Sequence, residues 1–168
     1  MIDIRSATSA DAEAIAAIYA HHVLHGTASF DEEPPSIAFW RDKITAVQAR
    51  QWPFLVAIDD KLVGYCYATQ FRDRAAYKFT CENSVYVHPD HLGKGIGRKL
   101  LKELIPAARE AGFKQMIAVI GGAEPASVAL HRASGFTEAG RMKSVGFKFG
   151  QWLDSVYMQL SLERDAQP

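Results

Sequence analysis

Residues 82–101 read ENSVYVHPDHLGKGIGRKLL, and the fold is decided there. Residues 84–87 form a short run of β-branched and aromatic side chains, the composition of a strand. Pro89 ends it, because proline supplies no ladder N–H. Gly93, Gly95 and Gly97 then alternate through a turn, and Leu100, Leu101, Leu104 and Ile105 open a helix with a clear 3.6 period. A strand, a glycine turn and a helix N-terminus make an anion site. The glycines let a ligand approach the backbone, and the amides of the first helical turn have no partner of their own. Lys94 and Arg98 add positive charge where a phosphorylated ligand needs it.

The spacing excludes two common phosphate binders. It is not G-x-x-x-x-G-K-[ST], so a nucleoside triphosphatase is disfavoured. Nor is it G-x-G-x-x-G on a first strand with an acidic residue about twenty positions on. A lone G-x-G is better read as a chain reversal. Three alternating glycines between VYVHP and an amphipathic helix favour ligand binding.

Outward from this stretch the chain resembles the GNAT superfamily of acetyl-CoA-dependent N-acetyltransferases. That signature is a strand ending near V-x-P, then [QR]-x-x-G-x-[GA], then a long helix. Leu92, Gly95 and Gly97 occupy its three positions, leucine replacing the usual glutamine or arginine. Within the superfamily the chain looks most like the phosphinothricin and methionine sulfoximine acetyltransferases. The resemblance runs through ASFDEEP, AAYKFTCENSVYV, AVIGGAEPASVALHRASGF and GFKFGQWLD. It implies a GNAT fold of the α/β (α+β) class: a mixed, mostly antiparallel central sheet flanked by helices, with a V-shaped opening between the fourth and fifth strands. It further implies acetyl-CoA as co-substrate, no metal, a small amino-acid analogue as acceptor and a homodimer as the assembly. The implied cofactor contacts are Val85, Tyr86, Val87, Gly93, Lys94, Gly95, Ile96, Gly97, Arg98, Glu124 and Ser127. Glu124 stands where the family usually carries an asparagine. Backbone amides do most of the binding in such turns, so Leu92 is expected to weaken cofactor affinity without abolishing it.

The remainder of the chain suits one domain over residues 1–168, with 48% apolar and 23% charged residues. Net charge is zero and no dense basic run appears, so neither nucleic acid nor an acidic membrane is expected as partner. No apolar run approaches transmembrane length, and MIDIRSATSADAEA reads as a strand and a helix cap, not a signal peptide. Cys66 and Cys81 lie in strand-like segments without metal or redox spacing. A reduced, cytoplasmic protein is the expectation.

Residues 2–7 alternate as an edge strand. Thr8 or Ser9 caps a helix that buries Ile15, Ile18, Tyr19 and Val23. His21 and His25 lie four apart on it, but a metal pair lacks further local ligands. Residues 26–35 are a polar, proline-ended loop; residues 36–50 are a second helix with Phe39, Trp40, Ile44 and Val47 inward. Residues 53–58 and 62–70 form a hairpin, FRDRAA links to a strand over 77–88, and 114–120 is an apolar interior strand. Pro125 and Gly135 bracket a short helix. Residues 136–142 and 152–162 are the last strands, joined by SVGFKFGQ. Consecutive early strands must pair antiparallel, which rules out a doubly wound fold.

Glu82 lies in a strand beside apolar neighbours. It is either a solvent-facing sheet residue or a general base whose pKa burial has raised. The resemblance favours the base, because it sets that family's catalytic glutamate on Glu82. His131 stands in the place of the tyrosine that many GNAT enzymes use as general acid; packing beside Leu130 is the equal alternative. Arg72, Arg74 and Lys78 are a solvated face or a fork for a substrate carboxylate, with Tyr77 and Phe30 as apolar walls. An acyl-cysteine route is disfavoured, since no histidine adjoins either thiol. Two rivals remain: acetylation of another amine, such as an antibiotic or a protein N-terminus, and a catalytically silent CoA-binding module.

Overall fold

The computed structural model describes residues 1–163. Its elements run β1 (Asp3–Ser6), α1 (Ala12–His25), α2 (Ile37–Ala49), β2 (Phe54–Asp59), β3 (Lys61–Gln70), β4 (Thr80–Val87), α3 (Ile96–Glu110), β5 (Gln115–Gly121), α4 (Pro125–Ala133), β6 (Thr137–Lys148) and β7 (Gln151–Ser161). The strands make one seven-stranded sheet in the order β1-β2-β3-β4-β5-β7-β6. Every neighbouring pair is antiparallel except β4 and β5. No helix among the described residues is long and apolar enough to cross a membrane.

The parallel ladder is short. It joins Thr80, Cys81 and Glu82 to Gln115, Met116 and Ile117, and there it stops. Beyond it β4 stays with β3 as far as Val87, while β5 stays with β7 as far as Gly121. Two ladders therefore diverge from the Glu82–Ile117 pair and leave the V-shaped opening.

Each face of the sheet has its own core. Under α3, Leu100, Leu101 and Leu104 pack on Cys66, Cys81 and Met116, all fully buried. Each buried leucine contributes about 1.5–3 kcal/mol relative to exposure. Under α1 and α2, Ile15, Ile18, Trp40 and Ile44 pack on Phe54, Val56 and Tyr65. Alternation along β4 follows: Cys81 joins the α3 core and Tyr86 packs against the other. Glu82 and Ser84 share the face of Tyr86, and Asn83 shares that of Cys81. The site is thus approached from both sides of the sheet.

Several boundaries differ from the sequence pattern. Phe39 is exposed, because it lies one position off the stripe of Trp40, Ile44 and Val47 and only meets Trp40 edge-on. β4 begins at Thr80, not at residue 77. Ala75–Tyr77 is a 3₁₀ turn, closed by bonds from the Tyr77 and Lys78 amides to the Arg74 and Ala75 carbonyls, and β5 offers no partner before Gln115. The segment SVGFKFGQ is mostly strand: β6 continues to Lys148, and Phe149–Gly150 alone makes the hairpin turn, at φ 53° and 72°. A bulge at Ser144 (φ 53°) lies within it, its amide held by Asp154 at 2.9 Å.

Asp11 secures the entry into α1. Its carboxylate accepts from the Thr8 amide at 2.7 Å and takes a two-pronged bond from Arg5 of β1 at 2.8 and 2.9 Å. These bonds hold its carboxyl below the usual range. A lowered carboxylate stabilises the fold above its unfolded pKa and loses that contribution as pH falls through the folded one. Asp11→Ala is expected to cost about 1–2 kcal/mol at pH 7, a difference that chemical denaturation should show shrinking at acid pH. An unchanged difference at acid pH would assign the loss to packing alone.

Candidate active site

The opening between β4 and β5 is a cleft of about 110 Å³ lined by Glu82, Asn83, Ser84, Val85, Ile120 and His131, among others. Glu82 stands at its closed end. Its side chain is 31% exposed, enough for a substrate to reach it and little enough for burial to raise its carboxyl pKa. Arg72, with Nη1 at 3.7 Å, and Lys43 oppose that rise. The result is a carboxylate displaced toward neutrality with two cations nearby.

Backbone donors follow from parity. The His88 amide bonds the Val63 carbonyl of β3 at 2.8 Å, and amides two residues apart in a strand point the same way. The Tyr86 amide therefore faces β3, whereas those of Val85 and Val87 face the opening. On the same edge, the Val87 carbonyl accepts from His22 Nε2 at 2.8 Å. Burial keeps that imidazole's pKa low, so it is a neutral donor. Val85 and Val87 thus present amides to the cleft, and Tyr86 contributes its ring, packed edge-on against Tyr19.

On the α3 side, Gly93 and Gly95 have φ of 74° and 76°, conformations that side chains rarely adopt. A Cβ on either would meet nothing within 4 Å, so the turn is open above its backbone. The first bond of α3 runs from the Lys99 amide to the Gly95 carbonyl, leaving the amides of Ile96, Gly97 and Arg98 without intrahelical acceptors. Lys94 and Arg98 are exposed beside them. Gly97 differs from the other two: a Cβ there would come within 3.0 Å of Leu130, so this glycine serves the packing of α3 on α4. Leu92 is 58% exposed and adds no polar group to the turn. The open turn, orphan amides and flanking cations fit a pyrophosphate.

Glu124 is the N-cap of α4, and its two carboxylate oxygens accept from the Ala126 and Ser127 amides at 3.2 and 2.8 Å. Expected as a cofactor contact, it is engaged in capping, a task asparagine performs equally well. Ser127 lines the cleft. His131 is buried, its Nδ1 at 2.8 Å from the Ser127 carbonyl and its Nε2 at 3.1 Å from Asn83 Oδ1. Burial lowers its pKa, so the ring is neutral with its proton on Nδ1. The Nε2 lone pair then requires a donor. Turning the Asn83 amide so that Nδ2 faces it satisfies both the ring and an otherwise unpartnered Nδ2. Of its two readings, His131 fits the packing one better.

Among the expected acceptor contacts, Arg72 reaches Glu82. Its guanidinium also lies over the Phe71 ring at 4.1 Å and donates to the Phe71 carbonyl at 2.8 Å. Arg74, Tyr77 and Lys78 do not line the cleft. Tyr77 meets Phe71 edge-on, and Lys78 lies over Phe79. Phe30 is 41% exposed, its ring so close that a Cβ on Gly121 or Gly146 would fall within 3.0 or 2.5 Å of it. Its loop is tied down by buried Lys148, whose ammonium donates to the Gly26 and Ser29 carbonyls at 2.9 and 2.8 Å. Ala28 of that loop lines the cleft. Both cysteines are buried, which pushes the Cys81 thiol up to about 12 and that of Cys66 higher still. Neither is a thiolate near neutral pH.

Sequence reasoning overlooked Lys43, Asn83 and Lys148. Each carries a weak signal, being a polar residue within or beside a periodic apolar stripe: Lys43 between Trp40 and Val47, Asn83 between Cys81 and Val85, Lys148 after Gly146.

Comparison with known proteins agrees with this geometry. Residues 4–157 match the family model described as an acetyltransferase (GNAT) domain. A phosphinothricin N-acetyltransferase of Alcaligenes faecalis is 50% identical over 95% of this chain and 82% of its own. An L-methionine sulfoximine/L-methionine sulfone acetyltransferase of Salmonella typhimurium is 42% identical over 98% of this chain and 97% of its own. The crystal structure of a phosphinothricin acetyltransferase from Sinorhizobium meliloti, in complex with acetyl-CoA, superposes with a TM-score of 0.93. It is 46% identical and covers 95% of this chain and 88% of its own. With its glycine turn, splayed sheet and relatives in agreement, this chain belongs to the GNAT family of acetyl-CoA-dependent N-acetyltransferases.

Proposed function

We propose that the chain acetylates the α-amine of a small amino-acid analogue of the phosphinothricin, methionine sulfoximine or methionine sulfone type, by direct transfer from acetyl-CoA. The observation that carries this is Glu82, a carboxylate with a raised pKa at the closed end of a cleft edged by free backbone amides. Acetyl-CoA supplies an activated acyl group, a thioester carbonyl. The turn amides and Lys94, Ile96, Gly97 and Arg98 hold its pyrophosphate; Gly93 and Gly95 keep the turn open.

An α-ammonium is unreactive until it loses a proton. Glu82, directly or through one water, accepts it. As the amine nitrogen bonds the carbonyl carbon, negative charge gathers on the carbonyl oxygen, and the Val85 or Val87 amide stabilises it. The adduct nitrogen, positively charged after the attack, gives up its second proton to water, the carbon–sulfur bond breaks and CoA leaves as a thiolate. His131, its one proton tied to Ser127, holds α4 against β4 beside the departing sulfur, and solvent protonates the thiolate. Arg72 flanks the acceptor. The high thiol pKa of Cys66 and Cys81 argues against an acyl-enzyme.

We also infer a cytoplasmic homodimer. Met142, Val145, Phe147, Phe149 and Trp152 are exposed on the β6–β7 hairpin, with Phe147 and Trp152 opposite each other and their rings 5.0 Å apart. Soluble monomers rarely leave such apolar groups together in water. A chain without net charge opposes self-association little.

Glu82→Gln keeps the shape and removes the base. Turnover at pH 7 is expected to fall by about 10²- to 10⁴-fold, recovering in part as pH rises and the amine deprotonates unaided. Stability should move the other way. A carboxyl raised by burial contributes stability below its unfolded pKa and loses it as pH rises through the folded one. The variant should therefore melt higher than the parent at neutral pH, and the gain should vanish below about pH 4. A variant as active as the parent at pH 7 places the base elsewhere. For the assembly, the 18.6 kDa chain should sediment as a dimer that Phe147→Lys with Trp152→Lys converts to a monomer. A monomeric parent contradicts the hairpin interface.

A further inference from the structure

The cleft is not the larger concavity beside Glu82. A groove of about 460 Å³ runs between α2 and the end of β3, on the α1/α2 face of the sheet. Thr69 lines it, and Thr69 is the β3 residue directly opposite Glu82. The groove therefore begins one residue pair from the carboxylate. Lys43 and Arg50 of the α2 segment face it, with Asp73 as its acidic member.

The two cations are not equivalent. Arg50 lies over the Trp52 ring at 5.0 Å, at the C-terminal end of α2. Lys43 is half-buried with its ammonium 5.2 Å from the centre of the Tyr67 ring, and no carboxylate comes within 4.0 Å of it among the described residues. Its charge nevertheless acts on Glu82. A partly desolvated ammonium without an ion partner is costly, and an incoming anion offsets that cost. Arg72, the other cation beside Glu82, already spends its guanidinium on the Phe71 ring and carbonyl.

An α-amino acid carries its amine and its carboxylate on the same carbon. If Glu82 takes the amine's proton, the carboxylate must lie within a few ångströms, where a cation on the same sheet face can meet it. We propose that the groove beside Glu82 seats the acceptor's α-carboxylate and that Lys43 is the ion partner that selects α-amino acids over simple amines. Thr69 contributes a hydroxyl at the same end. The inference rests on the reading of Glu82 as the base for an amine acceptor. It moves the carboxylate clamp from Arg72, Arg74 and Lys78, of which the last two do not line the cleft, to a helix the sequence pattern had assigned only to packing.

The test compares two acceptors, methionine sulfone and the same compound without its carboxylate, on the parent and on Lys43→Met. Bound acetyl-CoA and the melting temperature verify the fold of the variant, and Lys43→Arg provides a second, charge-keeping substitution. The expected result is a rise of about 10- to 100-fold in the KM for methionine sulfone, with the KM for acetyl-CoA unchanged. Efficiency on the decarboxylated amine should fall much less, because that acceptor loses only the effect of Lys43 on Glu82, and Lys43→Arg should restore most of the loss. An equal fall on both acceptors would show that Lys43 acts through Glu82 alone, and no fall on either would show that it does not meet the substrate. Both results overturn the proposal. A parent that acetylates neither compound overturns the amino-acid reading itself, a distinct outcome visible before any variant is made.

Discussion

Among the described residues, the ladder between β4 and β5, where the two halves of the sheet meet, has three residue pairs, Thr80–Gln115, Cys81–Met116 and Glu82–Ile117, preceded by bonds from the Lys114 and Gln115 amides to the Phe79 carbonyl. Each strand is held firmly on its other side, β4 by seven register pairs with β3 and β5 by seven with β7. Past Glu82 the halves follow their own partners and separate. Backbone groups that a continuous sheet would have paired are left facing a cleft. Unpaired polar groups are costly unless a ligand or water meets them, so an opening of this kind is a place where binding repays what folding left undone. The end of that ladder sets the geometry of the cleft: the last paired residue is Glu82, and the amides of Val85 and Val87 past it face the opening.

The divergence also decides how two substrates meet. The glycine turn and α3 lie on one face of the sheet, with the α4 wall and Asn83. Glu82, Tyr86, Thr69 and Lys43 lie on the other. A cofactor anchored on the first face and an acceptor held on the second can touch only through the opening. Burial at that point raises the Glu82 carboxyl, while Arg72 and Lys43 restrain the rise. The carboxyl stays raised on balance, with two cations beside it, which is the environment that the proposed base requires. The same burial makes it an unfavourable residue for stability, the common exchange of stability for function at active sites.

Much of this was legible in the sequence where the signal is local. A strand, proline, alternating glycines and an amphipathic helix specify the anion turn within twenty residues, the periodicity of α3 gave its buried face directly, and the continuous apolar run of β5 placed it inside the sheet. Boundaries failed where pairing, not propensity, decides them. Residues 77–79 have strand-like side chains but no register partner in β5, whose ladder starts at Thr80, so they turn instead. Residues 144–149 look like a glycine-punctuated loop but have β7 alongside, so they extend the ladder. Contacts across the fold were invisible. Lys148 holds carbonyls 119 and 122 positions away, and Asn83 meets His131 48 positions on. Glu124 shows the reverse: its position also has a local reason, since its carboxylate caps the helix that it opens.

In the proposed reaction, acyl group and amine come together at the opening past Glu82. A crystal structure of the chain with acetyl-CoA and the α-hydroxy counterpart of methionine sulfone, which lacks the reacting amine, tests that most directly. The pyrophosphate should lie on the amides of residues 93–98, and the thioester carbonyl between β4 and β5, bonded to the Val85 or Val87 amide. The α-hydroxyl should be within reach of Glu82, directly or through one water. A thioester lying outside the opening, or an acceptor bound with Glu82 out of reach, would contradict the account.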